Sequence, residues 1–401
     1  MWANRLRTIL TAFSVWWGIF MLVLLLGSSN GLKNSFEQDF ADNLVNLFWV
    51  RAYTTSMPFQ GLPENRRITL HNSDLDMLRE EFDAIDLTVG RYYLSNDYFV
   101  SRGDQSFQFE LVGTHPDRQK VENSVVLEGR FLNDNDLRKE AKICVIGEEV
   151  AHSFFQNGAS PIGEYLTIQE IPFRIAGVFM DEEDDDENRT IYFPLTTTQT
   201  LFAQEDRLNN MILAHNQNTV ESSLELENQI RAQLAARYEF NRADKQALSI
   251  YNNLEDYEKF QTVFRFINGF IWFVGIGSLI AGMIGVSNIM LITVNERQQE
   301  FGIRKAIGAK NSSIIGMVIQ ESIVLTSMAG LIGLLTGYAL ITGIDQIMRS
   351  NEIEANFFYN PEVDFRIALS AIVVLVVVGV LAGIAPARKA TSINTAEALK
   401  K

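Results

Sequence analysis

Cysteine and histidine are scarce in this sequence, and their scarcity excludes several kinds of site. The 401 residues include one cysteine, Cys144, so an internal disulfide framework is excluded. The four histidines are dispersed and show none of the spacings that bind a metal ion: His71, His115, His152 and His215. Because no nucleophile, base or ligand set is clustered, the sequence predicts no catalytic residue, no metal site and no enzyme activity on this chain.

Phosphate-binding and nucleic-acid-binding features are also missing. No Gly-x4-Gly-Lys-Ser/Thr motif occurs, and Lys310 follows Gly308 without the required preceding loop, so we expect no ATP or other cofactor on this chain. The net charge of −15 makes nucleic acid an unfavourable partner. The acidic run 181–187 lacks the glycine and the spaced ligands of a calcium loop, and we interpret it as a solvated segment.

Charge is absent from four long apolar runs, at 8–29, 266–295, 322–344 and 367–387. Each reaches the roughly 20 residues that a helix needs to cross a bilayer core. The first run exceeds the usual apolar stretch of a signal peptide and contains Trp16 and Trp17, so we interpret it as a retained anchor. No Asp, Lys or Arg lies deep in any run, which argues against an ion or proton pathway through the membrane.

Small residues at four-residue spacing mark faces of the last three runs that we expect to pack on other helices. These residues are Gly277, Ala281 and Gly285, then Ala329, Gly333 and Gly337, then Gly379 and Gly383.

The distribution of Lys and Arg beside the runs predicts the orientation, because cytoplasmic flanks are enriched in these residues. The basic flanking residues are Arg5, Arg7, Arg297, Arg304, Lys305, Lys310, Arg388, Lys389, Lys400 and Lys401. Both termini and the loop 295–311 are therefore predicted to be cytoplasmic. The acidic central region and the loop 345–366 are predicted to lie outside.

The central region reads as a mixture of strands and helices. Short strand-like runs, several of them separated by Gly and Pro turns, predict strands at 47–53, 85–94, 108–113, 142–146, 165–170, 173–179, 190–193, 211–215 and 247–251. Helices are predicted at 220–238 and after Ser73, which we expect to cap a helix with Leu75, Leu78 and Phe82 on its inner face. The simplest organisation is two β/α elements that flank a β-rich insertion.

Two amphipathic helical segments flank this region. Apolar side chains recur after the first run at Leu32, Phe36, Phe40 and Leu44, and before the second run at Tyr257, Phe260 and Phe264. We expect two stalks that pack against each other or against the stalks of a second copy. Two unrelated surface helices are the alternative.

The cytoplasmic loop contains the most distinctive pattern. It predicts a short amphipathic helix with Ile303 and Ile307 on one face, and Gly308 stands where such a helix ends. The helix could lie on the lipid surface, aided by its basic residues, or form a docking surface for a cytoplasmic partner. We interpret the nearby Glu321 as a membrane-edge residue that bonds to neighbouring helix ends.

This loop resembles a signature of FtsX-like, MacB-type ABC transporter permeases, with Phe301 where isoleucine is usual. The matching residues are Glu300, Gly302, Ile303, Arg304, Lys305, Ala306, Gly308 and Ala309. Residues 4–8, 386–390 and 397–399 are similar to the family's two ends. Similar segments in the outer domain are 127–131, 145–147, 161–163, 176–178 and 191–194. The resemblance spans essentially the whole chain.

The resemblance implies a membrane protein with four transmembrane α-helices and a large extracytoplasmic α+β domain between helix 1 and helix 2. The implied organisation is 1–29 for the N-terminus and helix 1, 30–265 for stalks and periplasmic core, and 266–401 for helices 2–4. Within the core it implies a porter-like lobe, 46–112 with 210–252, and a β-rich insertion, 113–209. Residues 300–308, including Phe301 and Ile307, would form the coupling helix, which sits in a groove of the ATPase.

The function implied is that of a permease subunit in a bacterial inner membrane, which couples ATP hydrolysis to movements of the periplasmic domain. The implied partners are a separate ABC ATPase carrying ATP and Mg²⁺, a second permease copy or paralogue, and a periplasmic adaptor. The cargo would be an antimicrobial, peptide, lipid or lipoprotein. Alternatives are a lipoprotein-releasing permease, an FtsX-like signalling subunit that regulates a cell-wall hydrolase, and a membrane-anchored ectoenzyme, for which no catalytic set is found.

Overall fold

The computed structural model describes residues 2–41, 45–95, 97–122, 124–155, 159–181, 187–202, 206–350 and 365–392. Near the ends of some helices only the backbone is described, at 2–8, 10, 11, 38–41, 349, 350, 365–369, 371 and 372. The chain divides into two compact units, Asp39–Phe260 and the combination of Met1–Gln38 with Gln261–Lys401. The side chain of Phe40, all of Leu44 and most of the acidic run lie outside the described residues.

The described residues form the following helices and strands. The helices are α1 (Trp2–Ala41), α2 (Asn72–Glu81), α3 (Arg118–Val121), α4 (Asp134–Arg138), α5 (Glu148–Phe154), α6 (Leu195–Leu201), α7 (Val220–Arg237), α8 (Asn253–Glu296), α9 (Gln298–Ala306), α10 (Asn311–Ser350) and α11 (Phe365–Thr391). The strands are β1 (Leu47–Ala52), β2 (Leu70–His71), β3 (Ile85–Tyr93), β4 (Val100–Arg102), β5 (Gln105–Phe107), β6 (Glu110–Thr114), β7 (Val125–Gly129), β8 (Ile143–Gly147), β9 (Tyr165–Ile168), β10 (Ile171–Met180), β11 (Thr190–Pro194), β12 (Arg207–Leu208), β13 (Asn210–His215) and β14 (Leu248–Asn252).

One mixed sheet organises the unit Asp39–Phe260. Its strands follow the order β14-β1-β13-β3-β6-β11-β8-β10-β9-β4-β5, and β7 pairs with β10. Most neighbours are antiparallel, whereas β6 runs parallel to β11 and β8 runs parallel to β10. Each predicted strand is present, with ends shifted by a few residues. Strands β2, β4, β5, β7 and β12, which have two to five residues each, are not among those predicted.

The two largest apolar cores of this unit lie along the sheet. One packs α2 and α7 against β1, β13 and β14, and it includes Phe48, Leu78 and Ile230. The other packs α5 against β8, β9 and β10. Strand β6 crosses position 113, where the sequence analysis divides the porter-like lobe from the insertion, and the sheet is continuous there. The division into these lobes stays a prediction.

The start of α2 differs from the expectation. Ser73 does not precede the helix but lies inside its first turn, which begins at Asn72. The carboxylate of Asp74 accepts a hydrogen bond from the backbone N–H of His71 at 2.7 Å. This acidic side chain reaches back to the helix start, as in the second half of a capping box, and the cap is therefore His71, two residues before the predicted Ser73. The predicted inner face is correct for Leu75 and Leu78, which are buried.

Among the described residues, four helices are long and apolar enough to cross a membrane: Ala12–Glu37, Asn253–Glu296, Asn311–Met348 and Val373–Thr391. They bury a shared apolar cluster that includes Val15, Leu279 and Leu375. The predicted fold class is confirmed, with four candidate spans and a mixed α/β domain between the first and the rest.

Candidate functional site

Helix α9 lies in the loop between the second and third spans, and local chemistry fixes both of its ends. Glu300 lies in the first turn, and Arg304 and Lys305 lie in the last, as the helix dipole favours. Gly308 follows with φ of +94°, a conformation that glycine adopts without strain. The N–H groups of Gly308 and Ala309 bond to the carbonyls of Lys305 and Arg304 at 3.1 and 2.9 Å, which forms a Schellman motif. The predicted helix and its glycine stop are confirmed.

One side of α9 is anchored in the apolar interior of its unit. Phe301 is 1% exposed and belongs to the cluster shared by the spans, and Gly302 is buried beside it. The guanidinium of Arg297 lies over the Phe301 ring, 5.4 Å from its centroid. Phe301 therefore anchors α9 and is not part of its outer surface.

Ion pairs attach the start of α9 to α10. The guanidinium of Arg297 pairs with Glu300 through two hydrogen bonds of 2.8 and 3.0 Å. A third Arg297 nitrogen reaches Glu321 on α10 at 3.0 Å, which confirms that Glu321 bonds to a neighbouring helix end. Arg304 also donates to Glu300, at 2.7 Å. The hydrogen bonds from Arg297 lower the pKa of Glu300, so this carboxylate stays charged at neutral pH.

The end of α9 is attached to α11. The ammonium of Lys305 donates to the backbone carbonyl of Thr391 at 2.5 Å. With the Arg297–Glu321 pair at the other end, α9 is held by polar contacts to two different spans. Such an arrangement can transmit a displacement of α9 to α10 and α11, because both attachments are directional.

The opposite side of α9 is apolar and exposed. Ile303 is 50% exposed and Ile307 is 80% exposed, and Ala306 between them is exposed as well. Two isoleucines on a short helix with charged flanks form a surface that a partner would bury favourably. This is the strongest candidate docking surface in the part of the chain that the structure describes outside the spans.

Some of the small residues predicted to pack on other helices lie close to a neighbouring helix, and others do not. A Cβ at Gly333 would lie 2.6 Å from the carbonyl oxygen of Trp16, and one at Gly379 would lie 2.5 Å from the hydroxyl of Thr326. Gly337 and Gly383 are similarly close to α1 and α10, and Ala329 is buried. On α8 the close approaches to α1 come instead from Gly275 and Gly282. Gly277 meets nothing within 4 Å, Ala281 is exposed and Gly285 is half-buried.

The stalk residues within the spanning unit are brought together in part. The rings of Phe36 and Phe264 lie 5.9 Å apart, and Gln261 donates to Glu37 at 2.7 Å. Leu32 is half-buried in the same unit. Tyr257 and Phe260 belong to the unit Asp39–Phe260, where Tyr257 is half-buried and Phe260 is 37% exposed. A mechanical role for these residues stays a prediction.

Sequence reasoning missed a buried charge cluster in the sheet domain. Arg91 and Arg118 face Glu122 and Glu187, with the hydroxyl of Tyr192 between them. Arg118 is fully buried and lies 2.8 Å from Glu187. Burial alone would raise the pKa of Glu187, but the two guanidinium groups outweigh it and hold that pKa below its ordinary value. The cluster ties α3 to Glu187, the last residue of the acidic run, and this residue is therefore largely buried and not solvated as predicted.

Comparison with known families agrees with this architecture. Residues 8–233 match the model of the MacB-like periplasmic core domain, and residues 272–395 match the FtsX-like permease C-terminal model. The pyoverdine export ATP-binding/permease protein PvdT of Pseudomonas putida is 27% identical over 405 residues, covering 100% of this chain. The macrolide export ATP-binding/permease protein MacB of Nitrobacter winogradskyi is 24% identical over 405 residues, covering 99%. The chain spans 58% of the length of each relative.

Among solved structures, the periplasmic region of MacB from Actinobacillus actinomycetemcomitans aligns at a TM-score of 0.45 and 17% identity, covering 56% of this chain and 96% of that one.

The first family model covers more than half of the chain, and the second covers the helices that carry α9. The chain therefore belongs to the family of MacB-like, FtsX-like ABC transporter permeases.

Proposed function

We propose that this chain is the permease subunit of an ABC-type export or mechanotransmission complex in a bacterial inner membrane. In this proposal the termini and α9 are cytoplasmic, and the sheet domain is periplasmic. A separate ATPase binds and hydrolyses ATP with Mg²⁺, a second permease copy completes the pair, and a periplasmic adaptor receives the cargo. The names of the relatives support this role, because each describes an export protein that combines ATP binding with a permease.

One observation carries the proposal, namely the division of α9 into a buried anchor and an exposed apolar face. Phe301 fixes the helix to the spans, whereas Ile307 remains 80% exposed. The Arg297–Glu321 and Lys305–Thr391 contacts attach α9 to α10 and α11. When a partner bound to Ile303 and Ile307 moves α9, these two spans would therefore move as well. A helix that only lay on lipid would not need both attachments.

The test is the ATPase stimulation that the permease confers on its partner in nanodiscs. Ile303→Asp and Ile307→Asp place a charge on the exposed face, and both are expected to abolish stimulation without loss of membrane insertion. Ser312→Asp is the matched control, because Ser312 is exposed at the start of α10 and lies outside the isoleucine face of α9. Gly302→Trp is a less clean probe, since Gly302 is buried and the indole would disturb the anchor. Unchanged stimulation by both isoleucine variants would refute the docking role.

A further inference from the structure

A cleft of about 390 Å³ opens on the sheet domain beside strands β1 and β14. It is lined by Trp49, Arg51, Tyr53, Ser249 and Tyr251. The register explains why these side chains share one face. Trp49 lies opposite Tyr251 and Arg51 lies opposite Ser249 in the antiparallel pair, so the four side chains project from the same side.

This face is the reverse of the one that builds the main core. Phe48 and Val50, which alternate with the cleft residues on β1, are fully buried in that core. On the cleft side Tyr53 is 48% exposed and Tyr251 is 49% exposed. Three aromatic rings stand around the small side chain of Ser249, so the strands leave a recess with apolar walls.

Two of the aromatic side chains that line the cleft, Trp49 and Tyr251, are held in place by residues outside it. The guanidinium of Arg91 lies 5.6 Å from the centroid of the Trp49 ring, and the buried carboxylates of Glu122 and Glu187 fix that guanidinium. The hydroxyl of Tyr251 bonds to Asp256, and burial together with this bond raises the pKa of Tyr251 to about 12. Tyr251 is therefore a neutral phenol at pH 7. Because Trp49 and Tyr251 are already held in position, little side-chain entropy is lost when a ligand binds.

The charge of the cleft comes from Arg51. Within the described residues the guanidinium of Arg51 has no hydrogen bond, ion pair or ring contact, and the residue is exposed. A guanidinium binds a carboxylate or phosphate through two parallel hydrogen bonds, and aromatic walls bind a flat apolar ring by stacking. The cleft therefore combines one anion-binding group with stacking surfaces for one planar group.

We propose that this cleft binds a small planar aromatic anion, with its acidic group on Arg51 and its ring between Trp49, Tyr53 and Tyr251. The size supports a ligand of one to three fused rings, since small-molecule sites typically enclose about 300–1,000 Å³. The inference is independent of the coupling role of α9, because binding needs neither ATP nor an ATPase.

The test is direct binding of 6-fluoro-2-naphthoate to the full-length chain in nanodiscs, followed by fluorine NMR line broadening. Arg51→Gln is expected to weaken binding about tenfold or more, because a charge-assisted hydrogen-bond pair is lost. Ser249→Phe fills the recess and is expected to abolish binding without a change of charge. Arg79→Gln is the matched control, since Arg79 is an exposed arginine on α2 and should leave binding unchanged.

Three results would overturn the proposal. One is equal affinity of the wild type and Arg51→Gln for naphthoate. Another is equal affinity of the wild type for naphthoate and its neutral alcohol analogue, which would remove the anion from the assignment. The third is a wild type that does not bind naphthoate, together with a Ser249→Phe variant that has lost the dimer mass. That result would assign the cleft to a second copy of the chain.

Discussion

Arg297 at the start of α9 contacts Glu321 on α10, with 3.0 Å between a guanidinium nitrogen and a carboxylate oxygen. The two residues are far apart in sequence, and the pair spans the junction between a short loop helix and a candidate membrane span. Arg297 uses its remaining nitrogens on Glu300, so one side chain fixes the helix start in two directions. The orientation of the exposed isoleucine face depends on this junction.

Glu321→Gln is expected to loosen α9 with little effect on global stability. Both side chains of the pair are about one-third or more exposed, and exposed ion pairs contribute about 0–1 kcal/mol. Hydrogen–deuterium exchange should therefore accelerate in 298–306, while the thermal midpoint stays nearly constant. Gln320→Ala, on the exposed neighbour, is the control. Unaltered exchange in α9 would show that the Arg297–Glu321 pair does not hold the helix in place.

Glu187→Gln is expected to destabilise the sheet domain by about 3 kcal/mol, because breaking a buried pair leaves guanidinium charge uncompensated. Lys120→Gln is the control, since Lys120 pairs with Asp117 at the surface of the same α3. The pKa of Glu187 is lowered in the folded state, so its contribution is complete above its unfolded pKa and is lost as pH falls through the lowered value. Chemical unfolding at pH 7 and at acid pH measures both effects, and equal stability of variant and wild type at pH 7 would contradict the assignment.

Gly333→Ala is expected to destabilise the spanning unit by about 1–3 kcal/mol, the usual cost of overpacking. The new methyl group would lie 2.6 Å from the Trp16 carbonyl oxygen, and neither backbone can retreat cheaply. Gly343→Ala on the same helix meets nothing within 4 Å and is the matched control. The measurement is unfolding of the chain in mixed micelles, where equal midpoints for the two variants would argue against the close α1–α10 approach.

Cys144 is expected to resist an impermeant maleimide in the folded chain. The thiol is fully buried in the second core of the sheet domain, and burial raises its pKa far above the ordinary range, so little reactive thiolate forms. Labelling should appear only after denaturation. Labelling is followed by mass spectrometry. Rapid labelling of the native protein would contradict the buried position of β8 in the core.

Much of the fold could be predicted because its signals are local. Several strands of the sheet domain are short apolar runs that are buried at every position, such as β8 and β13, and Gly308 ends α9 through its own backbone conformation. Ile303 and Ile307 are separated by one helical turn, so their common face follows from spacing alone. These features require no knowledge of distant residues.

The parts that could not be predicted depend on contacts between distant residues. Arg91, Arg118 and Glu187 look like ordinary surface charges in the sequence, and their segments come together only through the pairing of β6 with both β3 and β11. On α8 several glycines lie within three turns, and spacing cannot tell which of them meets α1. The structure selects Gly275 and Gly282 and leaves Gly277 open.

The central claim is that the exposed face of α9 is the docking surface for an ATPase. The most direct measurement replaces Ile307 with the photocrosslinking residue p-benzoylphenylalanine in the native host and identifies the captured protein. Met328, which is 61% exposed on a candidate span, provides the control position. The account predicts capture of an ABC ATPase from position 307 and none from position 328. Capture of lipid alone at position 307 would contradict it and would make α9 a helix that lies on the membrane surface.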